Sequence, residues 1–258
     1  MVHFKVGVQF HPQHITWESY KVGILQAESL GVDTVWNWDH FYPLYGEKDG
    51  AHFECYSLLA ATAALTQTVH FGAMVTCNSY RNPNLLADMA RTIDHISQGR
   101  FILGIGAGWF ERDYAEYGYE FGSAGNRLRA LEKNLPVILA RWEKINPPPV
   151  QHKIPILIGG AGEKKTLRMV AQYADLWNVL GSPADFAHKN QVLDEWCDRL
   201  SRDPKQVERT VLITDLKLVD SLDDYVEAGA THMILGLSEP WNFNAVEKAL
   251  TWKQKTNR

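Results

Sequence analysis

Short apolar segments alternate with longer amphipathic segments along the whole chain. Apolar runs of roughly four to eight residues are typical of parallel strands covered on both faces, and apolar residues at helical spacing are typical of helices packed on one side. We expect strands within 4–10, 33–40, 69–76, 101–105, 155–158, 176–180, 210–219 and 232–237. About eight β/α units in unbroken alternation predict an α/β fold, the TIM (β/α)8 barrel.

Capping residues and apolar stripes place helices between these strands. Thr16 is expected to cap the first helix, and Asn82 with Pro83 the third. The later helices are expected to turn these residues inward: Leu86, Met89, Ile93, Ile96, Leu128, Leu131, Leu135, Ile138, Phe186, Leu193, Trp196 and Leu200. Two longer connections, 41–53 and the tyrosine-rich 111–121, are predicted to be loops, and the first is long enough for a binding or lid role.

The seventh unit is the most compressed, with its strand somewhere in 210–219 and a short helix over 221–229. Closure of the barrel depends most on this segment. An open doubly wound sheet is the competing architecture, although such sheets usually have fewer strands and one early glycine-rich turn. The chain of 258 residues has no segment that resembles a long linker. Because a TIM barrel needs roughly 250 residues, we expect a single domain over 1–258.

Composition limits the classes of binding partner and indicates the cellular compartment. A net charge of −4, a pI near 6.2 and the lack of basic clusters argue against nucleic acid or an anionic membrane surface as a partner. No apolar run approaches the ~18 residues of a membrane span, and the N-terminus does not resemble a signal peptide. Three widely spaced cysteines, Cys55, Cys77 and Cys197, fit a reducing compartment. We therefore expect a cytoplasmic protein with a small-molecule substrate; a homodimer is left open.

The fourth strand runs into Gly104, Gly106 and Gly108. Glycine at every second position removes the side chains from one face of the strand end. A flat ligand could lie against the bare backbone there, or the strand could occupy a crowded corner of the barrel. The spacing alone does not decide between these interpretations.

A second glycine-rich strand end, 159–162, comes directly before a predicted helix that carries Lys164, Lys165 and Arg168. In TIM barrels, phosphate groups commonly bind at helix N-termini in the loops after the later strands. Backbone amides, the helix dipole and a lysine could hold a phosphate here. The alternative is a tight β-to-α turn with solvated lysines.

Candidate acid-base groups follow the second and fourth strands. His40 can donate or accept a proton near neutral pH. Because side chains alternate along a strand, Asp39 and His40 cannot both point into the barrel unless the strand has ended by His40. Glu111, Arg112 and Asp113 follow the fourth strand and could supply an acid or an ion pair, or could form a solvated charge cluster.

Aromatic residues and the remaining histidines complete the candidates. Trp109 and Phe110 are interpreted as walls of a pocket. The other histidines show no spacing that would place two on one helical face, so we predict no metal site. His11 and His14 follow the first strand and are kept in reserve.

Several short segments occur in a set order along the chain: DH (39–40), RNP (81–83), SQGRFILGIGAGW (97–109), NRLRAL (126–131), NPPP (146–149) and PILIGG (155–160). In this order they resemble the luciferase-like superfamily, and within it the oxidoreductases that use the deazaflavin coenzyme F420. The resemblance extends from the first strand to about residue 210.

The resemblance implies a TIM barrel with the deazaflavin ring in its mouth and the phosphate near the loop after strand five. It implies that the ring lies against the end of strand three, commonly with a non-proline cis peptide behind it, here expected at Met74–Val75. The cofactor-binding residues that follow are Met74, Val75, Thr76, Gly106, Ala107, Gly108, Gly159, Gly160, Ala161 and Gly162. His40 corresponds to a histidine that lies over the ring in several relatives. The family's sugar-phosphate dehydrogenases have an acidic glutamate where this chain has Trp109, which argues against a sugar-phosphate substrate.

The expected function is hydride transfer between F420 and a small organic substrate, with His40 handling a proton, Asp39 supporting it and Glu111 as a further candidate acid. One alternative is a flavin monooxygenase that uses reduced FMN and oxygen, because the family includes both chemistries. A second is a cofactor-binding barrel without turnover, which the missing glutamate keeps open. A metal-dependent isomerase or aldolase is disfavoured by the lack of clustered carboxylate and histidine ligands.

Overall fold

The computed structural model describes residues 3–257 and contains one closed sheet of parallel strands. Each strand is a short apolar run whose side chains are almost all buried, as expected for a sheet covered on both faces. The strands are β1 (Lys5–Phe10), β2 (Thr34–Asn37), β3 (His70–Ala73), β4 (Thr76–Cys77), β5 (Phe101–Gly106), β6 (Ile156–Gly159), β7 (Leu176–Val179), β8 (Glu208–Ile213) and β9 (His232–Leu237).

Helices follow the strands on the outside of the barrel. They are α1 (Trp17–Leu30), α2 (Cys55–Leu65), α3 (Pro83–Ile96), α4 (Glu111–Tyr117), α5 (Ala124–Trp142), α6 (Thr166–Tyr173), α7 (Pro183–Arg199), α8 (Leu222–Glu227) and α9 (Phe243–Thr256). The expected caps at Thr16 and Asn82 form, since their side chains accept hydrogen bonds from the first turns of α1 and α3, and Ser182 caps α7 in the same way.

The barrel closes through pairs between β3 and β5. β3 pairs with the first half of β5 and β4 with its second half, so the two short strands occupy one of eight barrel positions. The peptide bond between Met74 and Val75, which separates them, is cis, as predicted. The compressed seventh unit also closes, because β8 pairs in register with both β7 and β9. The predicted TIM barrel is confirmed.

Several predicted boundaries were wrong. The strand expected over 33–40 ends at Asn37, and the strand expected over 69–76 is interrupted where the chain bends at the cis peptide. The predicted loop 111–121 begins with the helix α4. The helix expected directly after residue 162 begins only at Thr166.

Two residues assigned to the core lie at helix ends instead. Ile96 is 46% exposed as the last residue of α3, and Leu200 is 41% exposed just beyond α7. The periodic pattern continues to these positions, but the helices end there and the sheet no longer covers them.

Two apolar layers hold the barrel together. The larger layer packs the outer face of the sheet against the helices. The smaller one fills the barrel interior with Trp36, Met74, Ile102, Leu157, Leu176, Leu212 and Ile234. Because this plug closes the interior, any ligand site is restricted to the ends of the barrel. Over residues 3–257, none of the helices is both long and apolar enough to cross a membrane.

Candidate active site

A cavity of about 900 Å³ opens at the carboxyl ends of the strands, where TIM barrels place their active sites. Asp39 and His40 line it, as do nine of the ten predicted cofactor-binding residues. Gly162 and Glu111 are outside the lining. Glu111 is the exposed first residue of α4, so the structure does not bring it to the cavity.

His40 is held at the cavity wall by Asp113, not by Asp39. Its Nδ1 lies 2.8 Å from Asp113 Oδ2, and the Asp113 side chain is fully buried. Because a carboxylate only accepts hydrogen bonds, Nδ1 carries the proton and Nε2 is left for a ligand. No protein group of residues 3–257 forms a hydrogen bond with Nε2. The expectation that Asp39 supports His40 was therefore wrong.

Three further donors fix the Asp113 carboxylate. The backbone N–H groups of Phe41 and Tyr42 donate to Oδ1 at 3.1 and 3.2 Å, and the Tyr80 hydroxyl donates to Oδ2 at 3.0 Å. Burial raises the pKa of Tyr80, which keeps its hydroxyl protonated as a donor. Asp113 thereby ties α4 to the start of the loop after β2 and orients the imidazole from behind.

Asp39 instead forms a buried ion pair. Both of its oxygens accept from the Arg81 guanidinium, at 2.6 and 3.0 Å, and Oδ2 also accepts from the Cys77 backbone N–H at 2.9 Å. Arg81 donates in addition to Glu54, 2.8 Å away. Since β2 ends at Asn37, strict alternation no longer applies, and both Asp39 and His40 reach the cavity lining. The role of Asp39 is to join the ends of β2 and β4.

The glycines of β5 make room for protein atoms, not for a ligand. A Cβ on Gly104 would lie 1.9 Å from the Ala73 carbonyl oxygen, and one on Gly106 would lie 2.7 Å from Val75 Cγ2. At Gly108, where φ is +82°, it would meet the Tyr114 hydroxyl. The crowded-corner interpretation is therefore the correct one for these faces. The backbone of Gly106 and Gly108 still contributes to the cavity wall.

The crowding comes from the chain segment at the cis peptide. Val75 packs its side chain between Gly106 and Gly159, which bear no Cβ to obstruct it. The Met74 carbonyl oxygen accepts a hydrogen bond of 2.8 Å from the buried Gln9 amide. These contacts push the segment toward the barrel axis, so that Met74, Val75 and Thr76 form part of the cavity wall.

The second glycine cluster leaves two backbone amides without protein acceptors. Gly160 donates its N–H to the Asn178 carbonyl at 2.9 Å, so this amide is committed to the sheet. Within residues 3–257, the N–H groups of Ala161 and Gly162 have no protein partner. The two amides precede α6 by a few residues, at the rim where an anion would be attracted. Arg168 is paired with Glu132 and does not contribute there.

His11 belongs to a third polar group, on the side of the mouth formed by β1 and β9. Its Nδ1 contacts the Tyr45 hydroxyl and lies 3.0 Å from Ser238 Oγ, and its ring stacks on Trp38 with centroids 4.3 Å apart. Burial lowers the pKa of His11 to about 4, and burial likewise lowers that of His52, the acceptor of the Trp38 indole N–H, to about 4. Both imidazoles are therefore neutral at pH 7.

The aromatic wall expected after β5 is present in part. Trp109 lines the cavity and is 62% exposed, and Phe110 packs against the His40 ring with centroids 5.4 Å apart. In the part of the chain that the structure describes, no three His, Cys, Asp or Glu side chains cluster as metal ligands would.

Sequence reasoning missed three residues of the cavity lining: Gln9, Tyr45 and Ser238. Tyr45 lies in the loop for which a lid role was considered, and Ser238 directly follows β9, so position alone could have suggested both. Asp113 was named only within the charged cluster 111–113. Its pairing with His40 had no signal, because the two residues are 73 positions apart and the helix that carries Asp113 was predicted to be a loop.

Comparison with known proteins places this chain in a family. Residues 3–238 match the luciferase-like monooxygenase family. The F420-dependent glucose-6-phosphate dehydrogenase of Amycolatopsis mediterranei is 32% identical over 139 residues, which cover 54% of this chain and 40% of that protein. Two solved structures share the fold.

The first is an F420-dependent secondary alcohol dehydrogenase in complex with an F420-acetone adduct. It superimposes with a TM-score of 0.85 and 17% identity over 99% of both chains. The second is the oxygenating constituent of a 3,6-diketocamphane monooxygenase of Pseudomonas putida in complex with FMN. Its TM-score is 0.67 at 19% identity, over 85% of this chain and 72% of that one.

Proposed function

Because the chain belongs to the luciferase-like monooxygenase family, we propose that it is an oxidoreductase that transfers a hydride between F420 and a small organic substrate. The observation that carries the proposal is the pairing of His40, which lines the cavity, with the buried Asp113 behind it. This pair supplies a proton-handling group with a fixed orientation, as the oxidation of an alcohol or the reduction of a carbonyl requires.

The cavity suits a cofactor of this kind. Its volume of about 900 Å³ lies within the range of roughly 300–1,000 Å³ typical of ligand sites. One wall is formed by 74–76 and the backbone of 106–108, against which a flat ring system could pack. The unpartnered amides of Ala161 and Gly162 lie at the rim, where the phosphate of a cofactor tail would find donors.

When bound, the deazaflavin supplies a carbon that accepts or donates the hydride. The chain's own contribution is to orient the substrate and to move one proton. His40 Nε2 takes the proton of a substrate hydroxyl in the oxidative direction and returns it to a carbonyl oxygen in the reverse direction. The Asp113 carboxylate holds Nδ1 and stabilises the imidazolium that forms.

Equilibrium titration with F420 and with FMN tests the proposal. We expect F420 to bind more tightly, and a tenfold or greater preference for FMN would overturn the assignment. Turnover under strictly anaerobic conditions separates the two chemistries independently, since hydride transfer to F420 needs no oxygen and a monooxygenase reaction does. The FMN-bound neighbour makes the FMN monooxygenase the alternative to exclude.

A further inference from the structure

Tyr45, Ser238 and His11 form a polar cluster that the proposed hydride transfer does not use. The two hydroxyls lie 2.8 Å apart, and each is within hydrogen-bond reach of His11 Nδ1. All three side chains line the cavity. Tyr45 is 47% exposed and Ser238 is exposed as well, so an entering ligand can reach both hydroxyl oxygens.

The order of strands places this cluster across the mouth from the glycine-rich ends of β5 and β6. In the closed order β3, β2, β1, β9, β8, β7, β6, β5, strand β1 lies four positions from β6, and β9 lies four positions from β5. His11 follows β1 and Ser238 follows β9, whereas the glycine-rich ends belong to β5 and β6. A substrate between the cofactor and the far wall would therefore face the cluster, with His40 beside it at the end of β2.

The far wall carries no positive charge that could hold an anionic group. Within the described residues, the one lysine or arginine that lines the cavity is Arg127. Its Nε donates to the Gly108 carbonyl at 3.0 Å and its Nη1 to those of Phe121 and Gly122, so it lies on the β5 side with three donors engaged. His11 is neutral at pH 7 because burial lowers its pKa to about 4.

From this arrangement we infer that the Tyr45 and Ser238 hydroxyls bind a second, uncharged oxygen function of the substrate, separate from the oxygen that reacts at His40. The inference rests on the proposed function for the identity of the reacting oxygen. The substrate class is therefore uncharged alcohols or ketones that carry a second hydroxyl or carbonyl group. Sugar phosphates are excluded, because their phosphate would face hydroxyls and a neutral imidazole with no cation to pair with.

The hydrogen-bond inventory of the cluster supports this class. The hydroxyls of Tyr45 and Ser238 each offer one proton and two lone pairs, and neutral His11 offers either a proton or a lone pair at Nδ1. When Nδ1 donates to both oxygens and one hydroxyl donates to the other, the three contacts leave a lone pair on the donating hydroxyl and a free proton on the accepting one. A substrate hydroxyl can donate to the first or accept from the second, and a substrate carbonyl can accept from the second.

Ligand binding can test the inference without turnover. The probes are cyclohexanol and the 1,2-, 1,3- and 1,4-isomers of cyclohexanediol, with glucose 6-phosphate as the charged probe. Binding is measured by the change in tryptophan fluorescence on titration, with and without F420, because Trp38 and Trp109 line the cavity. We expect at least one diol to bind roughly threefold to tenfold more tightly than cyclohexanol, the worth of one neutral hydrogen bond. Glucose 6-phosphate should bind more weakly than either.

The variants Tyr45→Phe and Ser238→Ala should remove the diol preference and leave cyclohexanol affinity unchanged. Tyr42→Phe is the matched control, since Tyr42 lies in the same loop but outside the cavity lining, and it should keep the preference. Equal binding of cyclohexanol and all diols by the unmodified protein, tighter binding of glucose 6-phosphate, or a diol preference that survives both variants would overturn the inference. A diol preference in a protein that fails to bind F420 would instead count against the proposed function alone.

Discussion

His40 gains its chemical value from a residue far away in sequence. The loop after β2 brings the imidazole to the cavity, but the carboxylate that orients it belongs to α4. Asp39, although adjacent in sequence, is committed to Arg81. The orientation of the His40 imidazole therefore depends on which carboxylate has a free acceptor oxygen within reach, and not on sequence proximity.

The first prediction compares His40 with Glu111. Replacing His40 with alanine removes the group proposed to handle the proton, so His40→Ala should lower kcat by about 10²-fold or more, the usual worth of general acid-base catalysis. Cofactor affinity should change little. Glu111→Gln serves as the control and should stay within about twofold, because Glu111 lies outside the cavity lining. Steady-state kinetics with a turned-over substrate decides, and the reverse ranking of the two variants would refute the assignment.

A second prediction tests the role of Asp113. In Asp113→Asn an amide replaces the oxygen that accepts from His40 Nδ1, so the imidazole must adopt the other tautomer or turn away. We expect kcat to fall by at least about tenfold with little change in KM. Thermal unfolding should be recorded alongside, since Asp113 also accepts from two backbone amides. Normal kcat in a well-folded Asp113→Asn protein would show that Asp113 is structural only.

How much of the site the sequence predicts follows from the range of the contacts involved. His40 and the backbone segments at the strand ends were predictable, because a parallel barrel brings the carboxyl ends of all its strands to one rim. The partner of His40 was not, since it depends on the packing of α4 against Phe41 and Tyr80, which no local pattern encodes.

At the scale of elements, the joint between β3 and β5 is the most constrained part of the barrel. The strand predicted over 69–76 is divided into β3 and β4 because the chain bulges inward at 74–75. The glycines of β5 and β6 leave the space that this bulge occupies. A Gly-x-Gly-x-Gly pattern is compatible with a ligand face or with close packing, and only the position of the neighbouring strand distinguishes them. The sequence therefore predicted that these segments lie together at the mouth of the barrel but could not assign the reason for their glycines.

Gly104→Ala tests this packing. The added Cβ would lie 1.9 Å from the Ala73 carbonyl oxygen, which belongs to the backbone and cannot move aside. We expect the free energy of unfolding in urea to fall by about 3 kcal/mol, at the upper end of overpacking effects. Gly125→Ala is the control. Gly125 lies in the first turn of α5, and a Cβ there would come no closer than 3.5 Å to any neighbouring atom, so the change should be neutral or slightly stabilising. Equal stability of the two variants would contradict the close contact at Gly104.

The phosphate-binding role of the loop after β6 is best tested at Ala161. An aspartate at Gly160 would also strain the backbone, since φ there is +131°, whereas Ala161 is an exposed non-glycine residue in the cavity lining. Ala161→Asp adds a negative charge beside the two unpartnered amides and should weaken F420 binding by about tenfold or more. Ala161→Asn, of nearly the same size, should have a much smaller effect. If equilibrium titration finds the same affinity for both variants, the phosphate binds elsewhere.

For the molecule as a whole, regular alternation of strands and helices was enough to predict a closed barrel. The compressed seventh unit closes because β8 begins at Glu208, two residues before the segment in which it was expected. Glu208 is the first residue of β8, and because it is charged, the apolar pattern does not mark the start of this strand. Its side chain nevertheless anchors the amino-terminal end of the barrel. The position of Glu208 is fixed by contacts with β1 and β9, which are distant in sequence, and not by the residues of its own segment.

Glu208 links three strands at the end of the barrel opposite the cavity. It accepts hydrogen bonds from Lys5 Nζ and from His232 Nδ1, each at 2.7 Å. The other ring nitrogen of the buried His232 is hydrogen-bonded to the Thr34 hydroxyl, which also accepts from the Trp36 indole N–H. Burial alone would raise the pKa of Glu208, but the hydrogen bond and charge of His232, together with the Lys5 ammonium, outweigh it and lower the pKa to about 2. The carboxylate therefore stabilises the fold at neutral pH.

Because the pKa of Glu208 is lower in the folded than in the unfolded chain, its stabilisation is complete above about pH 5 and is lost as the pH falls toward 2. Glu208→Gln should cost roughly 3 kcal/mol at pH 7, and its urea stability should decline less between pH 5 and 2 than that of the unmodified protein. Glu18→Gln, at an exposed ion pair, should follow the unmodified curve. Parallel pH profiles for all three proteins would contradict the linkage. Cofactor affinity at pH 7 should be unchanged in both variants, since the ion pair and the cavity occupy opposite ends of the barrel.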